Sequence, residues 1–299
     1  MVAGHPAHIT LPSVEGVDHR HPALGPPGWH YTDHDIPQSR VSSPDGFWGT
    51  GALWTHDNTP YAVHVNRFRL RIDVEADDAG TQEVGREIAK ELAGWWRAVA
   101  AWVEVLYEQD LSRLGPIAPG VHFDEPTLWT QLDCLPAAVT RVGLSLGRFN
   151  MVRYHVPDSK GFTRCIDHAQ KIGFPADEWL FISAARSFLN GYDYRRAVLD
   201  AGLAAEVAVT RMITEKLTKQ GRTQAQIDKT LSKNKMLGNL CNWWVTHNGM
   251  SALPSGYRAR LLKPRNDATH AGKTLSRETA KEAIAVAADI VQQAVPLPR

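Results

Sequence analysis

The chain has 299 residues, of which 43% are apolar and 22% charged, a balance that builds a packed core and excludes wholesale disorder. Its net charge is only +1, and no apolar run approaches the length of a membrane span. Three cysteines (Cys134, Cys165 and Cys241) are too few and too widely spaced for a disulfide framework or a Cys-x-x-Cys metal knuckle. Together with the absence of a basic-then-apolar leader pattern, this sets the expectation of a cytoplasmic protein without membrane contact.

Residues 1–60 are rich in Gly, Pro, His, Asp and Trp and show little periodicity, which predicts loops with one or two short strands. Seven of the 13 histidines fall there. The run His30-Tyr31-Thr32-Asp33-His34-Asp35 offers imidazole and carboxylate ligands. Its spacing matches no metal site, so exposed loop residues are the simpler account, and no metal or cofactor is expected. Trp48 and Trp54 are expected to pin the loops onto a core.

Residues 61–75 alternate: Phe68, Leu70, Ile72 and Val74 against Arg67, Arg69, Arg71 and Asp73. This predicts one half-buried strand with a solvated arginine face. Asp77, Asp78 and Gly80 read as a turn. A long helix is then predicted from about Thr81 to Leu111, because Val84, Ile88, Leu92, Trp95, Val99, Trp102 and Leu106 recur every three or four residues. Gly115, Pro116, Pro119 and Gly120 end that segment. Leu135–Val152 is apolar enough to be buried, as strand or helix. Pro157–Gly161 reads as a turn, and Pro175 followed by Asp177 reads as a helix start and a domain boundary.

From Asp177 the pattern is almost wholly helical. Helices are predicted over 177–190, from Tyr194 to about Lys219 with Asp193 as N-cap, over 224–232 and over 235–247. The second carries an Ala-rich face (Ala197, Ala201, Ala204, Ala205, Ala208) with Glu206 beside it. A segment over 257–272 follows, then a helix over 280–294 capped by Ser276. Pro264 either kinks the 257–272 segment or begins a new helix with Arg265 in its first turn. The expected architecture is an α+β domain over 1–176 and an all-α bundle over 177–299, mainly α overall.

The chemistry concentrates in Lys263-Pro264-Arg265-Asn266-Asp267-Ala268-Thr269-His270-Ala271-Gly272. Arg265 is a permanent cation with a planar donor fork that suits a phosphate. His270 exchanges protons near neutral pH. Asn266, four residues before His270, shares its face on a helix and can fix its orientation. Arg265 is five residues away and off that face, so its own reach or a second copy of the site must close the gap. Residues 191–299 carry 17 Lys and Arg against 9 Asp and Glu, whereas residues 1–190 carry 16 against 23. A basic C-terminal half suits a phosphate-backbone substrate, although solvated helix surfaces give the same asymmetry.

These residues resemble the Arg-x4-His motif of the HEPN superfamily, in its form Arg-Asn-x-x-x-His followed by a small residue and Gly. Gly191-Tyr-Asp-Tyr-Arg-Arg-Ala-Val-Leu-Asp-Ala-Gly-Leu-Ala-Ala-Glu206 is similar to the opening hairpin of HEPN domains, and the resemblance covers about residues 177–299. It implies a metal-independent endoribonuclease acting as a homodimer, of the kind found in abortive-infection, antiviral and toxin–antitoxin systems. In that family picture Arg265 neutralises the scissile phosphate, His270 is the general acid/base and Asn266 orients one of them or the substrate. Glu206 and Asp267 support the site as partners of basic neighbours. Arg260, Lys263 and Lys273 bind substrate. RNA, whether transfer or messenger, is the implied partner, with an antitoxin or a phage-derived trigger as regulator. Two other readings stay open: a HEPN module that binds RNA or dimerises without cutting, its function lying in residues 1–176, and a metal hydrolase built on the His-rich N-terminus.

Overall fold

The computed structural model describes residues 4–14, 17–21, 24, 49–58, 60–65, 68–72, 78–110, 127–132, 135–141, 156–247, 251–270 and 273–298. The His30–Asp35 run, Trp48, Cys134, the Asn248-Gly249 turn and Ala271-Gly272 lie outside them. The fold is mainly helical. It divides into two units, Met1–Ala100 with Leu111–Gly173, and Ala101–Asp110 with Phe174–Arg299.

Among its described residues, the first unit holds three antiparallel strand pairs. Strand β1 (Ala7–Thr10) precedes β2 (Gly49–Trp54), β3 (Pro60–Val65) and β4 (Arg69–Ile72), with β2 paired to β3 and β1 to β4. The single strand expected over 61–75 is therefore two strands in two different pairs. Alternation of apolar and polar residues has the same period on either side of the break, so the pattern conceals it. Helix α1 spans Asp78–Tyr107 and takes in Asp78 and Gly80, which were expected to form a turn. Ile88 and Leu92 of α1 are buried against Ala7, Leu70 and Ile72, so the apolar faces of β1 and β4 lie on the apolar stripe of the helix. Arg71 is exposed on the opposite face. Trp96 packs against Phe68 with ring centroids 4.8 Å apart, as expected of a structural aromatic.

Strands β5 (Thr127–Leu132) and β6 (Leu135–Arg141) make the third pair, which settles the first part of Leu135–Val152 as strand. Helix α2 (Ser159–Lys171) replaces the turn expected over 157–161. Asp158 caps it by accepting from the Gly161 amide at 2.7 Å, and the cap outweighs the turn preference of Gly161. Cys165, His168 and Ala169 form its buried face. Burial pushes the Cys165 thiol up to about 11 and the His168 imidazole down.

The second unit is helical. Helices α3 (Asp177–Asn190), α4 (Tyr194–Lys219), α5 (Gln224–Lys233), α6 (Leu237–Thr246), α7 (Lys263–His270) and α8 (Arg277–Ala294) follow in order, with a π turn over Arg258–Leu262 leading into α7. Asp193 caps α4 by accepting from the Arg196 amide, and Ser276 caps α8 by accepting from Thr279. Helix α4 is the central element: Ala197, Val198, Ala201, Ala204, Ala205, Ala208, Val209 and Ile213 are wholly buried. The small alanines let α3 and α8 approach closely, and each larger aliphatic side chain contributes roughly 1.5–3 kcal/mol by leaving water. Trp179 donates its indole N–H to the Val295 carbonyl at 2.8 Å, so the buried ring carries no unmet donor.

Among the described residues, one charge is wholly buried. Glu178 has no exposed surface and accepts two hydrogen bonds from Arg211, at 2.6 and 3.3 Å. It lies in the first turn of α3, where the helix dipole also favours a carboxylate. No helix among the described residues is long and apolar enough to cross a membrane.

Candidate functional site

The motif helix is shaped by its proline. Pro264 lacks an N–H, and its ring would collide with the carbonyl four residues back in a regular helix. The π turn absorbs the conflict: the Lys263 amide donates to the Arg258 carbonyl, five residues back, and α7 then runs unbroken to His270. The chain therefore starts α7 one residue before the proline, directly after the π turn. Arg258 anchors the turn by donating to Asn242 Oδ1 of α6 at 2.6 Å.

Leu261, Pro264 and Ala268 are buried, three and then four residues apart, and define the face that α7 turns inward. It meets one face of α4, made by Arg195, Gly202 and Glu206, which are seven and four residues apart. The Arg265 Nη2 donates to Glu206 Oε2 at 3.1 Å, with the two side chains 19% and 27% exposed. The stem of Arg265 lies against Gly202: a Cβ there would stand 2.7 Å from Arg265 Cγ. Arg195 Nε donates to the Ala268 carbonyl at 2.9 Å and satisfies one of the last acceptors of α7, which have no partner within the helix. Cys241, buried in the same unit, has its thiol pushed up to about 12, first by burial and then by Glu206, against Arg258.

Asn266 and His270 share a face of α7 and are exposed, and neither side chain has a hydrogen-bond partner among the described residues. At 100° per residue, the five steps from Arg265 to His270 leave them about 140° apart around the helix axis. Their surroundings agree, with Arg265 half-buried on α4 and His270 in solvent. Asp267 accepts from Lys273 Nζ at 3.1 Å. Lys263 is exposed, and Arg260 folds back to donate to the Ser255 carbonyl. One chain thus joins Arg265 to Glu206 and Asp267 to Lys273, presents Asn266 and His270 side by side, and turns Arg265 away from His270.

Two residues of this site were not singled out in the sequence, Gly202 and Arg195. Each carried a local signal. A glycine inside a helix is unfavourable by roughly 0.5–1 kcal/mol relative to alanine, which points to a close approach. An arginine in the first turn opposes the helix dipole, which points to an acceptor elsewhere. Comparison with known protein families, characterised proteins and solved structures gives no match to this chain.

Proposed function

We propose that the second unit is a HEPN-type domain and that the protein is a metal-independent endoribonuclease. The reading rests on the Arg265-Asn266-x-x-x-His270 arrangement on α7, with Asn266 and His270 on one open face and Arg265 held extended by Glu206. RNA brings its own nucleophile. His270 takes the proton of the 2′-hydroxyl, whose oxygen attacks the adjacent phosphorus, and the bond to the 5′-oxygen breaks. A proton passes to that oxygen, leaving a 2′,3′-cyclic phosphate and a 5′-hydroxyl. Arg265 neutralises the charge that builds on the phosphate oxygens. Asn266, beside His270 on the open face, orients the substrate, and Arg260, Lys263 and Lys273 hold flanking phosphates. The His–phosphate–Arg bracket is completed across a homodimer, since one α7 does not align its own Arg265 and His270. Phage defence or a toxin–antitoxin pair, with residues 1–176 recognising or restraining, is the setting that the family resemblance suggests.

The test incubates wild type, Arg265→Ala and His270→Ala with total and transfer RNA in EDTA and reads the fragment ends. Cleavage by wild type alone, ending in cyclic phosphate, is expected. Cleavage by His270→Ala at the wild-type rate removes His270 from the mechanism. One observation favours a second reading, a HEPN module that binds RNA without cutting it: Arg265 is already ion-paired. On that reading all three proteins bind RNA and return it intact.

A further inference from the structure

A cleft of about 470 Å³ opens in the helical unit, lined by none of the residues assigned to cleavage, and lies within the range of roughly 300–1,000 Å³ that small-molecule sites occupy. Three helices and one loop build it. Gly221, at φ 73°, ends α4 and turns the chain back, and Thr223 starts α5 at once through a reciprocal cap with Gln226. Lys216 therefore faces the cleft from the last turn of α4, Arg222 from the loop, and Lys229 and Lys233 from α5, where a spacing of four places both on one face. Trp243 of α6 and His247, which caps its C-terminus, again four apart, close it with their rings stacked at 4.3 Å and 12°. His247 Nδ1 stands 2.9 Å from the Trp243 carbonyl, which can only accept, so Nδ1 carries the proton and Nε2 is left for another partner.

The lining holds four cations and no carboxylate. Among the described residues, no ion pair involves Arg222, Lys229 or Lys233. These three like charges repel one another, and an anion relieves that repulsion. A basic lining beside a stacked aromatic pair suits a phosphate attached to a flat base better than a bare anion, because the rings offer the base a stacking surface.

We propose that this cleft binds nucleoside phosphate, with Lys216, Arg222, Lys229 and Lys233 on the phosphates and the Trp243–His247 pair against the base. The ligand is presented either as a free nucleotide or as a unit of an RNA strand. The site stands apart from the cleavage reading: RNA bound there and returned intact overturns the nuclease alone.

The experiment uses the full chain carrying His270→Ala, so that RNA survives. Anisotropy of a fluorescein-labelled oligouridylate is followed from 50 to 200 mM salt, with and without ATP as competitor, for this protein and for one also carrying Arg222→Ala, Lys229→Ala and Lys233→Ala. All three side chains are exposed, so an unchanged thermal melt is expected. Their loss flattens the plot of log affinity against log salt by about 2, at about 0.7 per phosphate contact on a single strand. Binding at the lowest salt falls tenfold or more. Displacement of the oligomer by ATP in the parent protein assigns the cleft to free nucleotides, and resistance to ATP assigns it to the RNA strand. Equal affinity and equal salt slope in the two proteins overturns the proposal, as does failure of both the oligomer and a fluorescent ATP analogue, titrated in its place, to bind the parent.

Discussion

Replacing Gly202 by alanine tests the contact that holds Arg265 in place. Taken alone, the change favours α4 by roughly 0.5–1 kcal/mol, the ordinary gain of alanine over glycine inside a helix. The added methyl, however, stands 2.7 Å from Arg265 Cγ. Carbon atoms pack best at about 3.5–4.0 Å, so about 1 Å must be found. Cγ is one bond from the root of the side chain, so no swing of the guanidinium relieves the clash; either Arg265 changes its first rotamer or α7 lifts off α4. Overpacking of this kind costs about 1–3 kcal/mol, which offsets the helix gain and leaves a net loss of up to about 2.5 kcal/mol. Urea unfolding followed by tryptophan fluorescence reads it. The decisive comparison repeats the change in Arg265→Ala. There Cγ is gone, Cβ remains at 3.6 Å from the new methyl, and the same substitution becomes stabilising. The sign reverses between the two backgrounds, with a coupling of about 1–3 kcal/mol. Gly202→Ala that stabilises both backgrounds equally would refute the packing of Arg265 over Gly202 and the positioning role given to it.

Glu206→Gln removes the charge opposite Arg265; both side chains are partly exposed, so unfolding free energy falls by under about 1 kcal/mol, while RNA cleavage falls clearly because the guanidinium loses its anchor. Cleavage unchanged in that variant would separate Glu206 from the site. Arg211→Ala strands the buried Glu178 carboxylate and lowers stability by about 3 kcal/mol in urea, with a loss under 1 kcal/mol arguing that water reaches the carboxylate. Burial holds the Cys165 thiol at about 11 and the Cys241 thiol at about 12. In Cys134→Ser, maleimide at pH 8 is therefore expected to spare both until urea is added. Raised thiol values also mean that stability is kept below the ordinary thiol range and lost as pH climbs from about 8.5 toward 11, so alkaline unfolding and labelling should coincide.

The helical unit was largely legible because its signals are local. Asp193 and Ser276 mark helix starts, the alanine face of 194–219 marks burial, and these features survive in the structure. The 159–171 helix escaped because Pro157 and Gly161 speak for a turn while a single capping aspartate speaks against it. The break between Val65 and Arg69 escaped because alternation has no memory of which strand a residue pairs with. Within the site, the angle between Arg265 and His270 follows from helix geometry alone, whereas the seat of Arg265 on Gly202 depends on two residues 63 positions apart. The basic cleft was half visible: counting charges reveals the excess in residues 191–299, but only the reversal at Gly221 gathers Lys216, Arg222, Lys229 and Lys233 around one space.

The orientation of α7 makes the dimer in the proposed mechanism a matter of arithmetic. Arg265 leans on α4 and His270 faces solvent about 140° away, so on the proposed mechanism each site would draw its arginine from one chain and its histidine from the other. The ion pair to Glu206 does not block this. Arg265 has five N–H donors and the bond to Glu206 uses one at Nη2, so an arriving phosphate takes the free part of the fork while the carboxylate keeps it anchored. Arg265→Ala and His270→Ala are each expected to be inactive alone. In a mixed dimer, one site inherits both alanines and the other inherits both native residues. Equal amounts of the two variants, exchanged to equilibrium, give dimers of which half are mixed and half of whose sites work, so about a quarter of the wild-type rate returns. Sites assembled within one chain return nothing on mixing, because every chain lacks one residue. Size-exclusion chromatography of the same mixture shows whether dimers formed, so a silent mixture of true dimers rejects the shared site itself.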